Sequence, residues 1–371
     1  MNRIACRLHR LTPPALLLAL GVVLFRPAIA AGDDSPWETD PYQLGQGLYF
    51  PQQGLRVGGY ADLHYYDLDD EPRSASIDDL SLIVTKDFGS RWKLLSETDL
   101  SEAAIITRRG VSTSDATLEV ERLYVDYYAS SAATFRFGKF LTPVGQWNLI
   151  HADPLVWTVT RPLSTAAAFS TSANGAMMYG TRTLAQDDLD YTLYVDDTQA
   201  IGLATDADSA YGSYGRAGAI NPLRNEFDRA AGGQTHYHWH DDQLTIGGSF
   251  VAYELRDPRK SYRLGGLDFD WTGSHVELSG EGVYRTPNGA QTPSEYGGYL
   301  QAVIPLPDQL FLVGRFEHFR NSTPNVTDNI STVGLNYRGV AGLVFRIERT
   351  HASHEYTGLP SGWFASVAVL F

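Results

Sequence analysis

The chain has 371 residues and a formal net charge of −14; residues 1–30 hold four arginines and no acid, so the remainder stands at about −18. Such an acidic chain does not suit nucleic acid, whose phosphates need a basic surface. Past residue 30 no apolar run approaches the roughly 20 residues of a spanning helix, and the single cysteine, Cys6, precedes that point, which excludes disulfide and thiolate chemistry from the rest.

In chain order, residues 1–30 have the pattern of a secretory signal. Arg3, Arg7 and Arg10 form a basic start, Leu11 to Phe25 an apolar stretch of about fifteen residues, and Ala28-Ile29-Ala30 a small-residue cleavage site. Residues 31–53 make a short N-terminal extension, too small for a plug domain.

From residue 54 to residue 371 the hydropathy alternates with a period of two, the signature of strands with one apolar and one polar face. Leu55, Val57, Ala61 and Leu63 oppose Arg56, Asp62 and His64. Leu267, Phe269 and Trp271 oppose Asp268 and Asp270. Leu343, Phe345 and Ile347 oppose Arg346 and Glu348, and the final segment sets Trp363, Ala365, Val367, Val369 and Phe371 on one face. The polar face carries full charges, which suits a water-filled lumen behind a lipid-facing surface.

Seven short connectors alternate with eight longer segments: 68–76, 101–117, 141–174, 198–229, 256–261, 287–294, 321–328 and 353–362. The expected fold is therefore all-β: a transmembrane antiparallel β-barrel of sixteen strands. Weak patterning at 175–184 and 190–197 leaves fourteen or eighteen as alternatives. Short turns belong on the periplasmic side of such barrels, with lipid-facing aromatics beside them. Trp92, Tyr127, Phe135, Trp239, Trp271, Tyr337 and Phe371 fall where that girdle is expected. Sixteen strands leave an aqueous channel.

The stretch Phe135-Arg-Phe-Gly-Lys-Phe-Leu-Thr-Pro-Val-Gly-Gln-Trp-Asn148 is similar to the Gly-x-Phe-x-x-Pro-x-Gly element of the phosphate-selective porin O and P family of bacterial outer-membrane porins. The segments 121–126, 311–317 and 333–337 fit the resemblance as pattern. It implies a sixteen-stranded diffusion channel, commonly a homotrimer in outer-membrane lipid, whose third long loop folds into the pore. Here that loop is 141–174. Its prolines and its apolar Trp147, Leu149, Leu155, Val156 and Trp157 agree with inward folding, and Pro143, Trp147, Asn148, His151, Asp153 and Arg161 are its candidate constriction residues.

Phosphate selectivity in that family rests on basic side chains lining the pore, as rings of basic groups filter anions. The lumen face phased here carries eleven acids, Asp62, Asp79, Glu97, Asp99, Asp126, Asp268, Asp270, Glu277, Glu281, Glu317 and Glu348, against seven bases, Arg56, Lys93, Arg122, Arg136, Arg285, Arg315 and Arg346. The expected function is passive passage of small hydrophilic solutes or ions, general or weakly cation-preferring. An anion- or carboxylate-selective pore is the alternative if the bases gather at one constriction. Many of these charges can also pair across strands and stiffen the wall.

Two other chemistries are weaker. His236, His238 and His240 alternate on one strand, but without further ligands they indicate a polar wall rather than a metal site. An outer-membrane hydrolase needs a nucleophile and base in reach, and Ser249 beside His236 or His238 is the one pairing available; no Gly-x-Ser-x-Gly elbow is present. A surface-display barrel would use the long segment 198–229. The expectation is a non-enzymatic channel without cofactor.

Overall fold

The computed structural model describes residues 39–40, 42, 44–150, 152–166, 168–201, 226–240, 242–256, 259–289, 293–321, 326–354 and 359–371. Residues 1–30, where the signal is expected, His151 and most of 198–229 lie outside them.

Each alternating segment is a strand: β1 (Leu55–Leu68), β2 (Ser74–Phe88), β3 (Trp92–Thr107), β4 (Thr117–Ser130), β5 (Ala133–Leu141), β6 (Ser172–Leu184), β7 (Asp187–Asp196), β8 (Phe227–Trp239), β9 (Leu244–Leu255), β10 (Ser261–Thr272), β11 (Glu277–Pro287), β12 (Glu295–Leu306), β13 (Leu310–Asn321), β14 (Val326–Val340), β15 (Leu343–Ala352) and β16 (Gly362–Leu370). Every strand pairs antiparallel with the next, and β16 pairs with β1 through Val367 opposite Leu63, closing a sixteen-stranded barrel. Closure leaves no free edge, so every ladder group is satisfied within the wall. Two three-residue strands, Leu48–Phe50 and Gly110–Ser112, add short pairings to β1 and β3. The weakly patterned pair, β6 and β7, is fully laddered, Gly175 opposite Asp196 through Leu184 opposite Asp187.

The outer face is apolar and uncovered. Leu267, at mid-strand in β10, is 73% exposed, and Phe250, Leu300 and Phe316 are similarly open. Such a face is stable only against hydrocarbon. Leu267→Arg is expected to destabilise the barrel by about 2–4 kcal/mol, the cost of a midplane charge, measured by denaturant unfolding in lipid vesicles; a neutral effect would mean that this face meets water. At the short-turn end, Trp92 packs on Tyr127 at 4.6 Å and Tyr337 on Phe345 at 6.2 Å, with Trp239 and Trp271 exposed nearby. These are members of the expected girdle.

The packed core lies inside the barrel. Phe140, Val144, Ala168 and Phe169 join Met177, Tyr194, Phe227, Val251, Tyr253 and Leu264 of the wall in one buried cluster. Leu163 packs with Phe319, Ile330 and Leu359; Val159 with Tyr66 and Phe364; Trp147 and Val156 with Tyr299. The segment 142–171 thus crosses the lumen and fixes apolar side chains in four separate wall pockets.

Candidate functional site

Apolar burial alone does not define this crossing, because the segment's polar groups also need partners away from bulk water. The lumen charges supply them. Glu281 on β11 accepts the backbone N–H groups of Gln146 at 3.0 Å and Trp147 at 2.6 Å. Glu348 on β15 accepts those of Val159 at 2.8 Å and Thr160 at 2.9 Å, and the Thr160 hydroxyl at 2.6 Å. Glu317 on β13 accepts the Leu163 N–H at 2.8 Å. Arginines take the carbonyls and hydroxyls: Arg315 donates to Thr158 and, at 2.8 Å, to the Thr160 hydroxyl; Arg346 donates to the Thr158 carbonyl at 2.9 Å; Arg285 donates to the Ala168 carbonyl at 3.1 Å.

A latch closes the far end. The Asp153 carboxylate receives Arg346 and lies 2.8 Å from His64 Nε2, whose ring also faces Asp62 and Asp78 at 3.6 and 3.4 Å. Burial raises the pKa of Asp153, but Arg346 and His64 outweigh it and hold the carboxyl down at about 2. Inside the segment, Asn148 is buried, donates to the Thr142 and Thr171 carbonyls and accepts from Arg161 at 2.6 Å; Arg161 stacks over Trp147. Both polar residues are buried and tie the two ends of the segment together.

The 135–148 stretch has a physical reading at each position. Gly138 has φ +131, where an added Cβ would meet the Leu123 carbonyl at 2.1 Å. Phe140 is fully buried. Gly145 has φ +65 and presses on Glu281 so closely that a Cβ would lie 2.1 Å from its Oε2. Only glycine combines that left-handed turn with that approach, so the carboxylate can reach the two N–H groups beyond it. Pro143 lines an opening between the segment and the wall.

That opening is a cavity of about 230 Å³ bounded by Arg122, Arg136, Leu141, Pro143, Leu149, Met177, Tyr179 and Thr192. It lies on the β4–β7 side, whereas Glu281, Glu317 and Glu348 hold the segment to β11, β13 and β15. Its two arginines are neutralised across strands. Arg122 pairs with Glu97, and Arg136 pairs with Asp126 through bonds of 2.8 and 2.9 Å while packing over Tyr124.

The sequence-derived lumen set therefore divides. Glu281, Arg315, Glu317, Arg346 and Glu348 face the lumen but lie under the crossing segment. Asp268 lies with them, accepting from Gln146 at 3.1 Å and facing His236 at 2.8 Å. Glu97, Asp99, Arg122, Asp126 and Arg136 border the opening's wall. Arg56, at the short-turn end, donates to the Gln46 carbonyl at 2.7 Å. Asp270 and Glu277 sit on adjacent strands near a short turn, and Asp79 lies beside Asp62, whose carboxylate accepts its N–H. Alternation missed three members. Bulges opposite Asp62 and Glu97 break the period of two and bring Asp78 and Glu121 to the lumen side. Arg338, beyond Tyr337, reaches the Pro154, Leu155 and Val156 carbonyls and covers Trp157.

The rival chemistries find no arrangement among the described residues. The Ser249 hydroxyl is buried without a hydrogen-bond partner. His236 is turned to Asp268 and His238 to Asp190 and Asp242, so neither imidazole is set against that hydroxyl. Groups of three metal-ligand side chains within reach of one another occur instead at Asp62, His64 and Asp153 and at Glu97, Asp99 and Glu121.

No protein-family model matches the chain. A curated protein of Aquifex aeolicus, described as uncharacterized, is 34% identical over 137 residues, 36% of this chain and 30% of that protein, so the match spans under a third of the relative's length. Solved structures agree over far more. OmpT of Vibrio cholerae superposes with a TM-score of 0.57 at 7% identity over 85% of this chain and 97% of that one. An anion-selective porin from Comamonas acidovorans gives 0.56 at 13% identity over 85% and 98%. Salmonella typhi OmpF, in complex with daunomycin, gives 0.55 at 9% identity over 86% and 97%. At these identities the likeness is one of fold, and the fold is that of a porin-type, sixteen-stranded transmembrane barrel.

Proposed function

We propose that this protein is a bacterial outer-membrane porin, a passive pore for small hydrophilic solutes and ions that leans weakly toward cations. The observation that carries the reading is the opening of about 230 Å³ between the crossing segment and the β4–β7 wall. A barrel with a filled lumen would leave none, and a fully open one would not spend a buried loop to narrow it. The cation preference follows from charge. The opening's two arginines are each matched by an acid, and Asp79 and Asp99 stand on the neighbouring wall.

Arg122 and Arg136 beside the opening also support the second reading, an anion- or carboxylate-preferring pore of the kind the 135–148 resemblance brings with it. The same resemblance carries a homotrimer, which light scattering of the detergent-solubilised barrel checks. Export by the N-terminal signal and the absence of enzymatic activity belong to this proposal as well.

The test is single-channel conductance and reversal potential in a planar bilayer under a KCl gradient. Ohmic steps with a cation-leaning reversal potential are expected. An anion-leaning potential with phosphate block selects the second reading. A folded, heat-modifiable barrel that passes no current overturns both and returns weight to a hydrolase or surface-display barrel.

A further inference from the structure

The two arginines of the opening are paired, yet their donors are not used up. Arg122 meets Glu97 through Nε, and Arg136 meets Asp126 through Nε and Nη2. Among the described residues no hydrogen bond engages either Nη of Arg122 or Nη1 of Arg136. Both side chains line the opening and stay about one-fifth exposed, 21% and 20%. The Arg136 plane is also fixed. It lies 3.6 Å over the Tyr124 ring and 5.0 Å from that of Tyr179, whose hydroxyl donates to Asp126 at 2.9 Å. Stacking and a side-on carboxylate together hold the guanidinium still, so its spare edge is preorganised.

The second observation is hydrocarbon. Leu141, Pro143, Leu149 and Met177 share the lining with those guanidiniums. Leu149 is 37% exposed, although Trp147 and Asn148 just before it are buried. A filter for bare ions has no use for apolar surface held open beside its charges. We propose that the opening recognises small monocarboxylates with an apolar body, an aryl ring or a short alkyl chain. The carboxylate takes the spare guanidinium N–H groups, whose planar fork suits it, and the body covers Leu149, Pro143 and Met177. A volume of about 230 Å³ lies below the roughly 300–1,000 Å³ of pockets for drug-sized ligands, so the body is about one ring. Phosphate, a strongly hydrated anion, has no apolar surface to set against that lining. Glu97 and Asp126 keep the hold weak, as a solute that must also leave requires.

Such a site presupposes the pore proposed above, and it is compatible with a weak lean toward cations. Small ions respond to the summed charge of the lumen, whereas recognition uses directed N–H groups of arginines whose charge is already matched. The test is block of the single-channel KCl current by sodium benzoate, sodium acetate and sodium phosphate. Benzoate is expected to half-block at a concentration roughly tenfold below acetate, the factor given by covering about two CH₂ equivalents, and below phosphate. Leu149→Ser shrinks the advantage of benzoate over acetate to about threefold or less. Arg136→Lys, which trades the planar fork for a point charge, weakens block by both carboxylates roughly threefold or more. Each variant is first checked for heat-modifiable migration. Arg229→Gln, at the rim where Arg229 meets Glu254, blocks as the wild type does.

Acetate or phosphate blocking as well as benzoate overturns the proposal, because charge alone then decides. Benzoate block unaltered in both folded variants overturns it too, since the solute then binds elsewhere. Ohmic KCl steps insensitive to benzoate remove the site and keep the pore. A folded barrel that passes no KCl current removes the pore and the site with it.

Discussion

Excising residues 146–168 and joining the ends with a short Gly-Ser linker is expected to raise single-channel conductance roughly threefold or more, because a sixteen-stranded barrel without its constriction is a wide aqueous channel. The strand ladders do not depend on the excised segment, so the barrel should still fold and migrate as a heat-modifiable species. The loss falls inside. Glu281, Glu317 and Glu348 lose the N–H groups they accept, and Arg315 and Arg346 lose the Thr158 and Thr160 oxygens. These charges are not stranded, because the cleared lumen fills with water and solvates them. Selectivity should then follow the whole lumen, where acids outnumber bases, and lean further toward cations. Unchanged conductance from the folded variant would show that the constriction lies elsewhere.

Arg346→Ala is expected to release the same segment at its latch. It removes the Asp153 ion pair, the bond to the Thr158 carbonyl and that to the Ser366 hydroxyl at 2.9 Å. Breaking a buried, hydrogen-bonded pair costs about 3–5 kcal/mol, and less where lumen water reaches the orphaned partner. Asp153 retains His64, so the segment should flicker rather than leave. The measurement is the open-channel current, which gains brief large-conductance excursions, together with limited proteolysis near Pro154; a quiet trace and an uncut loop would reject the latch.

The pH dependence has a definite sign. Docked, Asp153 has its pKa lowered from 3.8 to about 2; released into water, it returns to the ordinary range. The difference contributes about 2 kcal/mol to docking. That contribution is complete above about pH 4 and is lost as pH falls through about 2. The wild-type trace should therefore be steady at mildly acidic pH and begin to flicker as pH drops from about 4 to 2. Asp153→Asn should flicker at every pH, without that transition.

Much of this was legible in the residues alone. The barrel follows from local chemistry: one apolar and one charged face per strand, short turns against long loops, and aromatics beside the turns, as at Trp92, Trp239 and Trp271. Each is a property of a strand and its two solvents, lipid and lumen water, so it is written residue by residue along the chain. The placement of Arg346 or Glu281 toward the lumen is of that kind. What those charges do there is not. Alternation gives a side chain its face, but whether that face meets water or another segment depends on where 142–171 crosses, a matter of contacts between residues more than a hundred positions apart. Glu281 meets the N–H of Trp147 only because Gly145 turns the backbone against it. Glu348 is an anchor rather than a filter only because Val159 and Thr160 come to rest on it. The bulges that turn Asp78 and Glu121 inward are also tertiary. An extra residue opposite Asp62 or Glu97 is accommodated by the neighbouring strand's register, which neither strand's own period records.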